Sequence, residues 1–206
     1  MKTIKRNKLV CGVGLNDADY NVYSKINGKQ VMCKFYKTWS NMIRRCYSEI
    51  YQKKNPTYIC CTVNDCWLVF SNFKKWMETK DFKEKQLDKD LKVAGNKVYG
   101  PDNCMFVSSS INKILINSVA RIGICPQGVY FDKRTEKYCA NVSDNIKTKY
   151  LGAYTTIKEA ELAYLIAKHK IVKQAASDEA DQEVSQALHM QAGLILDKLK
   201  VVGALE

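Results

Sequence analysis

The stretch LDKDLKVAGNKVYGPDNCMFVSSSIN, residues 87–112, decides the reading of this chain. It predicts two short strands and a helix. Asp88 centres the first strand, with Lys89 and Asp90 after it. Asn103 opens the second strand, and Asn112 falls on the helix. Gly95-Asn96 and Gly100-Pro101 are turn signals between the strands. Ser108 to Ser110 are N-cap candidates for a helix running to about Asn117.

This spacing resembles the ββα-metal nuclease motif, the HNH fold. In that family a carboxylate and a helix-borne Asn or His hold one divalent cation. A histidine on the first strand activates water, and an Asn between the strands orients the histidine. The metal polarises the phosphate and stabilises the leaving oxygen. The resemblance assigns metal binding to Asp88 and Asn112 and the central role to Asn103. Oxygen ligands of this kind suit Mg²⁺ or Mn²⁺ rather than zinc. Lys89 stands where the family keeps its histidine, and the two histidines of the chain, His169 and His189, lie on helices far downstream. Three roles for this position stay open. Lys89 is a base if burial or neighbouring positive charge brings its pKa well below ~10.4. Asp88 and Asp90 oppose that where they come near, although alternation along a strand turns them to the opposite face. Alternatively Lys89 contacts the scissile phosphate while solvent or Asp90 takes the proton. In the third case the segment is a degenerate ββα element kept for DNA backbone binding. Asp90-Leu91-Lys92 also fits the D-x-K end of another nuclease class, but that tripeptide is common.

Upstream, Val22-Tyr23 and Val31-Met32-Cys33 flank the turn signal Asn27-Gly28, which predicts a hairpin. Residues 35–51 place Phe35, Trp39, Met42, Ile43, Cys46 and Ile50 at three- and four-residue steps, the pattern of an amphipathic helix. Lys37, Arg44 and Arg45 lie off that stripe, and one of the two arginines is read as a phosphate contact. Residues 58–63 read as a strand. Asp65 is the expected cap of a helix from Trp67 to about Thr79, with Leu68, Phe70, Phe73, Trp76 and Met77 on its apolar side. At helical spacing these aromatics belong to a core more often than to a stacking platform.

Downstream, residues 118–127 read as a connecting loop. Three alternating segments, GVYFDK, KYCANV and KYLGAYT, predict an antiparallel meander. Thr156 and Glu159 form a capping box ahead of a helix with Ala160, Ala163, Tyr164, Ala167 and Ile171 on one face. Residues 180–200 read as a last amphipathic helix. The fold class is therefore α+β: a ββα-metal (HNH-like) unit with flanking helices, then a three-stranded antiparallel sheet packed on a helix. The expected divisions are 1–118, a linker at 119–127, a sheet domain at 128–176 and a C-terminal helix at 177–206.

The chain has 206 residues, with 33 Lys and Arg against 21 Asp and Glu, a net charge of +12. Residues 1–118 hold 21 basic and 10 acidic side chains, whereas residues 177–206 hold 2 and 6. The excess thus lies on the nuclease-like and sheet segments, and it points to a phosphate-bearing partner. No apolar run reaches the ~18–20 residues of a membrane span, and no signal peptide is expected. The nine cysteines suggest reduced thiols in a cytosol. Cys60, Cys61, Cys66 and Cys104 lack a C-x-x-C pair, so buried thiols are the better reading than zinc. Cys11, Cys33, Cys46, Cys125 and Cys139 are read as buried too, and His169 as exposed.

Residues 30–117 as a whole resemble phage-encoded HNH-type homing endonucleases of tailed phages of enteric bacteria. The matching residues include Tyr36, Trp39, Met42, Arg45-Cys46-Tyr47, Pro56-Thr57-Tyr58, Trp67, Phe70, Phe73, Trp76, Leu87-Asp88-Lys89-Asp90, Gly95-Asn96-Lys97-Val98-Tyr99, Asn103-Cys104 and Asn112. The Asp-Lys-Asp form occurs in that group, which makes Lys89 a subfamily trait on this resemblance. Residues 128–172 resemble the plant ethylene-response-factor (Apetala-type) DNA-binding domain through Gly128-Val129, Tyr138, Ala140, Leu151-Gly152, Thr156, Glu159-Ala160 and Ala163-Tyr164. That domain lays its sheet in the major groove. By position, Tyr130, Asn141, Thr148 and Tyr150 fall at base or backbone contacts, with Lys133, Arg134 and Lys137 at the first turn. Several of the family's arginines are absent, which implies a different or lower sequence specificity. Lys97 joins Arg44 and Arg45 as a DNA contact on the nuclease side. Together the resemblances imply a metal-dependent DNA endonuclease acting on double-stranded DNA in the cytoplasm of an infected bacterial host. The alternative is a catalytically inactive DNA-binding protein, a regulator or counter-defence factor; a protein partner is also open.

Overall fold

The computed structural model describes residues 9–115 and 125–204. Mixed α and β elements form two units, one ending at Phe106 and one beginning at Val107.

In the first unit, β1 (Tyr23–Ile26) and β2 (Lys29–Met32) form the expected hairpin, with Tyr23 opposite Met32. Asn27 and Gly28 both take positive φ, 51° and 74°, which matches the twist of the strands they join. Helix α1 (Lys34–Tyr47) buries Trp39, Met42, Ile43 and Cys46. It stops short of the expected end because Ser48 Oγ accepts the Tyr51 amide and starts a separate helix, α2 (Glu49–Lys54). Ile50 therefore leaves the apolar stripe and is 74% exposed.

The expected strand at 58–63 shrinks to β3 (Thr62–Val63). Pro56–Tyr58 forms a 3₁₀ turn, and Cys60 has a φ of 64°, which no strand residue adopts. The expected helix from Trp67 is also divided. Asn64, not Asp65, caps a 3₁₀ turn at Asp65–Leu68 by accepting the Cys66 amide. Val69 is extended, and α3 (Phe70–Glu78) follows. Trp39 Nε1 donates to Trp67 O at 2.7 Å, which joins α1 to this turn inside the core. Trp39, Trp67, Phe70 and Phe73 are all buried core residues.

Three short strands complete the unit: β4 (Gln86–Asp88), β5 (Val98–Tyr99) and β6 (Met105–Val107). β4 pairs with β6, while β5, in the excursion between them, pairs in parallel with β3. Phe106 of β6 stacks on Trp76 at 5.7 Å.

In the second unit, α4 (Ser109–Leu115) is capped by Ser108, whose Oγ accepts the Ile111 amide. The expected extension to Asn117 and most of the expected linker, 116–124, lie outside the described residues. The expected domain boundary at 118 is displaced, because α4 packs on α5 and belongs to the second unit. The meander β7 (Val129–Asp132), β8 (Lys137–Ser143) and β9 (Thr148–Tyr154) is antiparallel as expected. Helix α5 (Ile157–Asp178) opens with the Thr156–Glu159 capping box. Ala160 and Tyr164 pack beneath the sheet with Val129, Ala140 and Val142. Helix α6 (Gln182–Ala204) packs along α5, so the described residues from 177 to 204 are part of this unit rather than a separate appendage. His169 is half-buried and its Nδ1 lies 3.0 Å from Ala192 O of α6, not free in solvent as expected.

Gly128 fixes the closeness of sheet and helix. Its φ is +79°, and a Cβ there would stand 2.1 Å from the Tyr164 ring. Gly128→Ala is expected to cost about 3 kcal/mol through backbone strain and overpacking. Gly28→Ala, with open space around it, is expected to cost about 1 kcal/mol. Urea unfolding of the two variants checks the difference.

Candidate functional site

Asp88 ends β4, and its Oδ1 accepts the amides of Asp90 and Leu91, each at 2.8 Å. The backbone turns at once, so strand alternation does not separate Asp88, Lys89 and Asp90 as expected. Lys89 is only 6% exposed. Its Nζ donates to Asp90 Oδ1 at 2.5 Å and to Asn96 O at 2.7 Å. Asn96 reciprocates: Nδ2 donates to Lys89 O at 2.8 Å and Val98 O at 2.7 Å, and Oδ1 accepts the Val98 amide. Each side chain thus holds the other's backbone.

The Lys89 side chain is thus buried with its Nζ held between a carboxylate and a backbone carbonyl. Asn96, read from sequence as a turn signal and as part of the matching Gly95–Tyr99 run, ties the Lys89 and Val98 carbonyls together. Its signal was the Gly95-Asn96 pair, whose polar amide can return hydrogen bonds to the chain. Asn103 lies in the turn before β6 instead of opening it. Its amide donates to Gly100 O, and its side chain makes no hydrogen bond among the described residues.

Burial raises the Asp88 carboxyl above its ordinary range, and the Leu91 and Asp90 amides oppose that only in part. Its Oδ2 makes no hydrogen bond among the described residues. A carboxylate left under-compensated in this way, with one oxygen available, fits a water-rich Mg²⁺ or Mn²⁺ site. Asp90 is exposed and paired to Lys89. Asn112 is half-buried on α4, in the other unit, with its amide bonded to Ser108 O. Among the described residues no three His, Cys, Asp or Glu gather as a metal-binding group. Cys46 and Cys104 are buried, and burial pushes both thiols up to about 12. Cys11, Cys60 and Cys66 are exposed and Cys33 and Cys125 half-buried, contrary to the expectation of burial.

The expected DNA contacts of the first unit divide. Arg44 is exposed. Arg45 is pinned, its guanidinium 5.5 Å from the Tyr58 ring centre and beside Tyr99. Burial works against that charge, yet the neighbouring tyrosines hold its pKa above the ordinary value. Lys97 is exposed but donates to Thr57 O at 3.1 Å.

In the second unit, Tyr130, Asn141 and Tyr150 alternate with the buried or half-buried Val129, Ala140, Val142 and Leu151 that face α5. Alternation puts them together on the opposite face. Asn141 pairs in register with Tyr150, and Tyr130 with Cys139. Tyr130 and Tyr150 are 47% and 59% exposed, and Cys139 Sγ lies 3.9 Å from Tyr150 Oη. Thr148 is exposed at the start of β9. Lys133, Arg134 and Lys137 are exposed at the β7–β8 turn, where Asp132 accepts the Arg134 amide and the Thr135 hydroxyl. The four sheet residues singled out from sequence therefore share one solvent-facing surface edged by cations.

The raised Asp88 carboxyl has a definite sign for stability. A folded-state pKa above the unfolded one stabilises the fold below the unfolded pKa, and that contribution is lost as pH rises through the folded pKa. Asp88→Asn keeps the Oδ1 acceptor and removes the charge. It is expected to be at least as stable as the original at pH 7, with the difference vanishing toward pH 3 in thermal unfolding.

No family model, curated protein or solved structure matches this chain.

Proposed function

We propose that this protein acts on double-stranded DNA, held by the outer face of the β7–β9 sheet, and that the first unit is an HNH-type endonuclease. The observation that carries the binding half is the shared exposed face of Tyr130, Asn141, Thr148 and Tyr150 with Lys133, Arg134 and Lys137 at its edge. Aromatic and amide groups can read base edges or sugars, while the flanking cations neutralise phosphates. The cleavage half is supported by the chain order β4, β6, α4, with Asp88 at the end of β4 and Asn112 on α4. On the resemblance, Asp88 would be a ligand of one Mg²⁺ or Mn²⁺, which would supply charge stabilisation at the scissile phosphate, and the Lys89–Asn96 clasp keeps the turn after Asp88 in shape. The site of action would be the cytoplasm of an infected bacterial host, where the free cysteines stay reduced.

A second reading is favoured by one observation. The Lys89 Nζ already donates to Asp90 and Asn96, and no histidine stands at the family's position. On that reading the protein binds duplex DNA without cutting it.

Supercoiled phage or host DNA with Mg²⁺ separates the two. Nicking by the native protein, reduced at least 100-fold in Asp88→Ala and Asn112→Ala, is the outcome expected of the endonuclease. Salt-dependent binding with no nicking and no metal requirement would leave only the binder. For the sheet, Asn141→Ala with Tyr150→Ala is expected to weaken duplex binding by about 10- to 100-fold, the scale of one or two lost base contacts. Unchanged affinity by fluorescence anisotropy would remove the sheet from the interface.

A further inference from the structure

A cleft of about 570 Å³ opens in the first unit, lined by Met32, Leu87, Thr38, Asn41, Gln86 and four cations, Lys34, Lys37, Arg45 and Lys85. No carboxylate is among its lining residues. We infer that this cleft is a second nucleic-acid site, which takes the phosphodiester backbone of the DNA alongside β4. The inference rests on the DNA-acting reading above and names where its substrate strand lies.

The cleft is built by α1. Its apolar side, with Trp39, Met42, Ile43 and Cys46, faces the core. Its other side turns Lys34, Lys37, Thr38, Asn41 and Arg45 into the cleft, at helical steps of three and four residues. Lys85, at the end of the loop leading into β4, and Gln86 and Leu87 of β4 close it, so Asp88 is the next residue beyond the cleft wall. Several of these groups are held in place. Lys34 Nζ donates to Phe82 O at 3.1 Å and stands over the Phe82 ring. Lys85 pairs with Asp81 at 2.9 Å. Arg45 is braced by Tyr58 and Tyr99.

The length of this stripe selects a polymer over a single phosphate group. Lys34 to Arg45 spans roughly 16 Å at ~1.5 Å per residue. One DNA strand carries a charge about every 3.4 Å along the axis, so a stripe of this length reaches past a single phosphate group. Thr38, Asn41 and Gln86 add neutral polar groups of the kind that fix a backbone in register.

The test is the salt dependence of duplex binding by the full chain. Lys34→Gln, Lys37→Gln and Lys85→Gln are combined in one variant. Lys25→Gln, Lys29→Gln and Lys53→Gln, exposed positions outside the cleft, form the control. Each lost phosphate contact lowers the slope of log K against log salt by about 0.9. The cleft variant is expected to lose about 2 to 3 units of slope and the control none. Equal losses in both, or no loss in the cleft variant, overturn the inference while leaving the DNA-acting reading intact. Saturable binding of ATP or inorganic phosphate that disappears in the cleft variant, with its DNA slope unchanged, would reassign the cleft to a free nucleotide. A native protein that binds neither duplex nor single-stranded DNA would overturn the cleft inference and the proposed function together.

Discussion

The buried ammonium of Lys89 is the constraint around which the first unit's strand end is organised. A lone charge at 6% exposure would cost several kcal/mol. Asp90 and the Asn96 carbonyl offset that cost, and they can do so only if the chain folds back over residues 89–96. The same fold-back delivers Asn96 Nδ2 to the Lys89 and Val98 carbonyls. Val98 then enters β5 beside Thr62 of β3. The positions of the loop after β4, the start of β5 and the paired β3 all follow from satisfying one cation and one amide.

The second unit solves a different problem. A three-stranded sheet has only one face to bury, and α5 covers it with small residues. Ala160 is fully buried beneath Ala140 and Val129, and Gly128 makes way for the Tyr164 ring. Because the inner face is complete, the aromatic groups on the outer face carry no packing duty. Tyr130 and Tyr150 are large, rigid and left in water, which is costly for apolar surface unless something covers it. A register shift between Ala140 and Asn141, beside Gly152 at a φ of 141°, lets Asn141 stand opposite Tyr150.

Local signals were the legible part of the sequence. Asn27-Gly28, the Thr156–Glu159 box and the alternation of residues 128–154 each involve contacts within a few residues, and each appears as expected. Apolar periodicity located α1 and α3 but not their ends, because Ser48 and Asn64 supply caps that compete with helix continuation. Ile50 matched the period and still fell outside, since the break at Ser48 resets the helical phase. Around residues 87–112, the strand ending at Asp88 was legible in the sequence. The partnership of Lys89 with Asn96 was not, because it spans seven residues of irregular chain and no periodicity announces such a contact. The four sheet residues named through the resemblance lie on one face because a strand's two-residue repeat puts them there.

The buried Lys168 of α5 has a consequence for how this chain can be divided. Burial lowers its pKa, and its Nζ donates to the Ile114 carbonyl of α4. Ile111 and Ile114 are themselves buried. A fragment ended at residue 118, where composition and turn signals invite a cut, would take α4 with it. It would leave an amine in the interior of the remaining piece with no acceptor and strip the cover from two isoleucines. The seam between the two units falls inside β6, between Phe106 and Val107, and the helix that sequence order attaches to β4 and β6 travels with the sheet.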